Sequence, residues 1–115
     1  LRVVPQAAQG GGFEAVREFI EQHLAADISV EQLMAVAKVS ERSLYSLFER
    51  QVGLSPRDYV RRRKLERVHT RLQLSTARSV TEVALDHGFM HLGRFSEAYR
   101  KRFGELPSQT WKRHR

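Results

Sequence analysis

The chain has 115 residues, a hydrophobic share of 41% and no cysteine, a size for one domain or two small sub-domains that excludes disulfide frameworks and thiolate metal sites. Its mean hydropathy is negative and no run approaches the roughly 18–20 apolar residues of a spanning helix, which excludes a membrane protein. A net charge of +7 points to a polyanionic partner, and the excess is uneven: residues 1–54 hold five Lys/Arg against seven Asp/Glu, residues 55–115 fifteen against six.

The chain opens on Leu1 without a signal-peptide pattern and reads as a piece of something longer, suited to a reducing cytoplasm. Residues 1–12, ending in Gln9-Gly10-Gly11-Gly12, have the composition of a flexible lead-in or inter-domain linker. A helix follows, because Phe13, Val16, Ile20 and Leu24 recur on one helical face. Ser29-Val30-Glu31-Gln32 is a capping box that opens a short helix with Val30, Leu33, Met34 and Ala37 inward. Lys38-Val39-Ser40 reads as a turn, with Ser40 as the next N-cap. The helix from about Glu41 buries Leu44, Leu47 and Phe48 and stops near Gly53.

Ser55-Pro56 starts a longer helix to about Leu72, with Pro at the first position, where its missing N–H costs nothing. Its expected buried line, Tyr59, Leu65, Val68 and Leu72, is interrupted. Ser79-Val80-Thr81-Glu82 reads as a second capping box, opening a helix with Val80, Val83 and Ala84 inward. Gly88-Phe89 marks a turn, and the helix from about Leu92 buries Phe95, Tyr99 and Phe103 before Gly104 ends it. Pro107 starts a last short helix holding Trp111. Every periodic segment is helical, so the expected fold is all-α with about seven helices.

The most informative feature is an internal repeat. Ser29, Val30, Leu33 and Val39 match Ser79, Val80, Val83 and Phe89 at an offset of fifty; Leu44, Phe48, Gly53 and Pro56 match Phe95, Tyr99, Gly104 and Pro107 at fifty-one. One residue inserted in the second turn explains the change. Each copy is a capped short helix, a turn, a second helix, a Gly stop and a Pro restart, the shape of a helix-turn-helix. The expected organisation is a lead-in (1–12), a first helix-turn-helix sub-domain (13–54), a connector helix (55–73) and a second sub-domain (74–115). A connector of this length spans roughly 25 Å at 1.5 Å per residue, enough with its flanking turns for two recognition helices about one DNA turn, roughly 34 Å, apart.

Several runs carry a family resemblance covering about residues 13–113. The run Val83-Ala84-Leu85-Asp86-His87-Gly88-Phe89, then Phe95, Tyr99, Phe103-Gly104 and Pro107, resembles the C-terminal DNA-binding domain of the AraC/XylS transcription regulators. Arg42-Ser43-Leu44-Tyr45-Ser46-Leu47-Phe48 and His91-Leu92-Gly93-Arg94-Phe95 look closest to the XylS/BenR branch, which is associated with activating operons for benzoate and related aromatic acids. Met34 departs from the small Ala usual in the family, which reads as core variation. The resemblance implies double-stranded promoter DNA as partner, RNA polymerase as a second one, and an N-terminal effector and dimerisation domain outside this chain.

On the first recognition helix the inward residues leave Glu41, Arg42, Tyr45 and Ser46 outward. Arg42 is the expected base reader, since Arg can bind guanine O6 and N7 with two bonds, with Tyr45 and Ser46 in support. The resemblance also makes the positions of Arg42 and Ser46 base-facing. On the second, His91, Gly93, Arg94, Glu97 and Lys101 face outward. Arg94 is the second guanine reader, Glu97 accepts from cytosine N4 or orients Arg94, Gly93 permits close approach, and His91 touches the DNA near the helix start. Phosphate contacts are expected from Arg61, Arg62, Arg63, Lys64, Arg67 and Lys101, and from Ser29 and Ser79 at helix starts. The connector cations cannot all face one way, so some are expected to pair with Glu66 or Asp58. No phosphate loop or convergent nucleophile–base set suggests an enzyme, and the five histidines have no metal-ligand spacing, so no cofactor or metal is expected.

Overall fold

The computed structural model describes residues 12–74 and 76–115, and these contain seven helices and no strand. The expected lead-in lies outside the described residues except for Gly12, which opens the first helix. The chain divides into two compact units between Arg62 and Arg63, inside one continuous helix.

The first unit contains α1 (Gly12–Gln22), α2 (Val30–Ala37), α3 (Glu41–Val52) and the opening turns of α4 (Pro56–Leu72). Its helices begin and end where local chemistry dictates. The Ser29 hydroxyl accepts the Gln32 N–H at 3.1 Å while the Ser29 N–H donates to the Gln32 side chain at 2.8 Å, a complete capping box. Lys38 closes α2 in the left-handed region at φ 58°, and Ser40 caps α3 by accepting the Ser43 N–H at 3.2 Å. Gly53, at φ 70°, returns its N–H to the carbonyls of Phe48 and Glu49 and ends α3. Ser55 then caps α4 through the Asp58 N–H at 3.1 Å, with Pro56 as first helical residue.

Phe13, Val16, Ile20, Leu24, Val30, Leu33, Leu44, Leu47 and Phe48 form the buried centre of this unit, with Tyr59 and Val60 from α4. Phe48 meets Phe13 and Tyr59 edge-on, at centroid distances of 5.3 and 5.6 Å. Each large apolar side chain so buried contributes about 1.5–3 kcal/mol. Met34 packs against this core, half-buried, as a gap filler.

The second unit contains the rest of α4, then α5 (Val80–Asp86), α6 (Leu92–Phe103) and α7 (Pro107–His114). Leu65, Val68, Leu72, Ala77, Val83, Ala84, Phe95 and Tyr99 are buried together, with Phe89, Phe103 and Trp111 packed against them. The indole N–H of Trp111 donates to the Ala77 carbonyl at 3.0 Å, fastening α7 over the segment before α5. The capping box expected at Ser79 is only half formed. Its hydroxyl accepts the Glu82 N–H at 3.0 Å, but the Glu82 carboxylate lies beside Arg78 at 3.6 Å rather than reaching back. The nearby guanidinium outbids a backbone N–H for that charge.

Candidate nucleic-acid interface

In the first unit, α2, the left-handed turn at Lys38 and α3 form a helix-turn-helix. Because Leu44, Leu47 and Phe48 point into the core, Glu41, Arg42, Tyr45 and Ser46 are exposed on the opposite side. Tyr45 keeps 36% of its surface accessible, a large aromatic held at the edge of the outward strip. Arg42 has no ion pair among the described residues, so its guanidinium remains available to an outside acceptor.

The second unit repeats the arrangement with α5, a turn through Gly88 at φ 85°, and α6. Phe95 and Tyr99 are buried, and His91, Gly93, Arg94, Glu97 and Lys101 are exposed. His91 is the N-cap residue, and its side chain makes no capping bond. A Cβ added at Gly93 would meet nothing within 4 Å, so the glycine leaves an open surface near the start of α6. Glu97 lies 3.8 Å from Arg100, not beside Arg94 as the sequence allowed. The i, i+3 spacing puts Arg100 within easy reach on the same face.

The connector cations divide by burial. Arg61 and Arg62 are exposed, with Arg61 3.9 Å from Asp58. Arg63 is half-buried and pairs with Glu66, which also accepts from Arg102 at 2.5 Å. Arg67 is half-buried, and Arg71 lies 3.8 Å from Asp86. Lys64 is 9% exposed, and its ammonium donates to the carbonyl of His87 at 3.4 Å. That carbonyl ends α5, where a cation complements the partial negative charge of a helix C-terminus. Lys64 is therefore engaged inside the second unit, unlike the exposed Arg61 and Arg62. Ser29 is exposed and Ser79 half-buried, each with its hydroxyl already engaged in capping.

Two features behind α6 escaped the sequence reading. The first is a chain of polar groups. His69 on α4 meets the Tyr99 hydroxyl at 2.8 Å, Tyr99 donates to Thr110 on α7 at 2.8 Å, and Thr110 donates to Glu105. Arg113 closes the end with two bonds to Glu105, at 2.6 and 2.8 Å. Since the Tyr99 hydrogen goes to Thr110, the His69 nitrogen facing Tyr99 must carry its own hydrogen. The bonds from Arg113 and Thr110 hold the Glu105 carboxyl down at about 2. The signal was available: an inward Tyr needs a partner for its hydroxyl. The second feature is His87, 3% exposed, whose ring Nδ1 donates to the Val83 carbonyl at 2.9 Å. Burial pushes the His87 imidazole below its ordinary value, and burial does the same to His69.

Two units, each carrying an exposed second helix on a capped first helix, define a tandem helix-turn-helix protein. The sequence model of a family described as "Helix-turn-helix domain" matches residues 33–113. The chain is 54% identical over 100 residues to a XylDLEGF operon transcriptional activator of Pseudomonas putida, covering 85% of this chain and 31% of that protein. It is 53% identical over 105 residues to XylDLEGF operon transcriptional activator 2 of the same organism, covering 90% and 67%. A solved probable AraC family transcriptional regulator from Rhodopseudomonas palustris superposes with a TM-score of 0.85 at 36% identity, covering 92% of this chain and 99% of that one. The chain belongs to the AraC/XylS family of helix-turn-helix transcription regulators. It spans 31% of the length of the first of these activators, about a third.

Proposed function

We propose that this chain is the DNA-reading part of a transcription activator and that both units read bases, each laying its second helix in one of two successive major grooves. The observation that carries this reading is the repeat itself. In both copies the same register of buried residues leaves an outward strip with an arginine near the helix start that has no ion pair among the described residues, Arg42 on α3 and Arg94 on α6. Arg42 and Arg94 are the guanine readers, with Tyr45, Ser46, Glu97 and His91 as supporting contacts and Gly93 admitting close approach. Arg61, Arg62 and Lys101 neutralise phosphates, which fix position without carrying sequence information. Ser29 and Ser79 mark helix starts whose backbone N–H groups meet the DNA backbone. Arg63 and Arg67 are weaker candidates, being half-buried.

By likeness to the XylDLEGF activators, the target is a promoter of such an operon, and the resemblance to the XylS/BenR branch makes its genes those of aromatic-acid breakdown. The remaining partners are RNA polymerase and an N-terminal effector and dimerisation domain. Titration of the chain against duplex DNA from the XylDLEGF promoter, beside a scrambled duplex of equal length and composition, tests the reading. Specific recognition predicts a preference of about a thousandfold or more at physiological salt. Equal affinity for the two duplexes would refute this choice of target.

A further inference from the structure

Aligned on their buried residues Leu44 and Phe95, the two recognition helices differ along the outward strip but agree at its far end. Arg42 stands opposite Gly93 and Ser46 opposite Glu97, whereas Arg50 stands opposite Lys101. Both of these cations are exposed, and neither has an ion pair among the described residues. Glu97, the acid one turn before Lys101, is engaged by Arg100 at 3.8 Å. Arg50 has no acid three or four residues away on either side. No partner among the described residues explains the shared positive charge.

Its place on the helix suggests one outside. At 1.5 Å per residue, Arg50 lies about 12 Å along the axis from Arg42, and Lys101 about 10 Å from Arg94. The major groove is about 12 Å wide. With the helix start at the base edges, the last turns pass out over the groove wall, where a long cationic side chain meets the sugar-phosphate backbone. The pattern of divergence agrees. Positions that read bases must differ between units reading different bases, while a position that touches phosphate has no sequence to follow.

We propose that Arg50 and Lys101 are equivalent phosphate contacts, one per unit, which set how deep and at what register each recognition helix sits in its groove. This rests on the DNA-reading proposal and adds Arg50 to it. The test compares the chain with R50Q, K101Q, the double variant and R50K, on the XylDLEGF promoter duplex and its scrambled counterpart, from 50 to 200 mM salt. Each single Gln variant is expected to flatten the plot of log affinity against log salt by about 0.9, and the double variant by about 1.8. Over that fourfold salt range each single variant should lose about 3.5-fold less affinity than the parent. Both duplexes should weaken by the same factor, and R50K should restore the parental slope. Unchanged slopes in variants of parental helicity would overturn the proposal, as would a loss confined to the promoter duplex. A parent that binds both duplexes equally would refute the choice of target, yet the slopes would still decide whether this pair meets phosphate. No binding to either duplex would end both.

Discussion

At the scale of single residues, the division between readers and positioners makes the sharpest expectations. Arg42→Ala and Arg94→Ala should each cost about 1–3 kcal/mol at a specific site and relax base preference there. Competition binding against single-base variants of the site would measure this, and uniform weakening of every sequence would mean that neither Arg reads a base. The exposed strips on α3 and α6 were legible because they follow from which residues point inward. Lys64 was not, since a Lys in a run of arginines gives no sign that its ammonium caps a distant helix end. His87 was equally silent, and its burial has a consequence for pH. Its folded-state value lies below the ordinary one near 6.5, so the unfolded chain takes up the proton first. The stability this confers is complete above about pH 6.5 and is lost as pH falls through the folded-state value. Thermal unfolding followed from pH 7.5 to 5 should show a falling midpoint. His87→Asn, which keeps a donor for the Val83 carbonyl but cannot titrate, should blunt that fall; an unaltered pH dependence would assign it to other groups.

At the scale of elements, most boundaries were legible because short polar signals fix them. Ser29, Ser40, Ser55 and Ser79 all accept the expected backbone N–H, and Gly53 and Gly104 end their helices at φ 70° and 79°. The box at Glu82 stays incomplete because it requires a free carboxylate, and Arg78, four residues back, lies beside it. The interrupted line on α4 also has a physical reason. Tyr59 and Val60 belong to one core and Leu65, Val68 and Leu72 to the other, so no single stripe runs the length of the helix. Caps should matter most where they open an exposed second helix. Ser40→Ala, which removes the acceptor for the Ser43 N–H, should cost about 1 kcal/mol of stability in denaturant unfolding. Gly104→Ala should cost about as much through left-handed strain alone, since a Cβ there meets nothing within 4 Å. A neutral effect at Gly104 would mean that the end of α6 relaxes freely.

At the scale of the whole molecule, the repeat and the lopsided charge were enough to suggest a tandem DNA reader, because two punctuated copies of one helical pattern are hard to obtain for any simpler reason. The polar chain from His69 to Arg113 was not legible, since its members are spread over α4, α6 and α7 and only the fold brings them together. It ties α6 to its neighbours through groups that no local motif marks. The XylDLEGF activators are similar over this chain, while most of the length of the full-sized ones lies outside it. The measurement that bears most directly on the central claim is selection from a random duplex pool by the chain itself, with the winner's binding stoichiometry determined. Tandem reading predicts two short conserved boxes about one helical turn apart, bound by a single molecule. A single box, or enrichment of no sequence with affinity that merely follows salt, would contradict it.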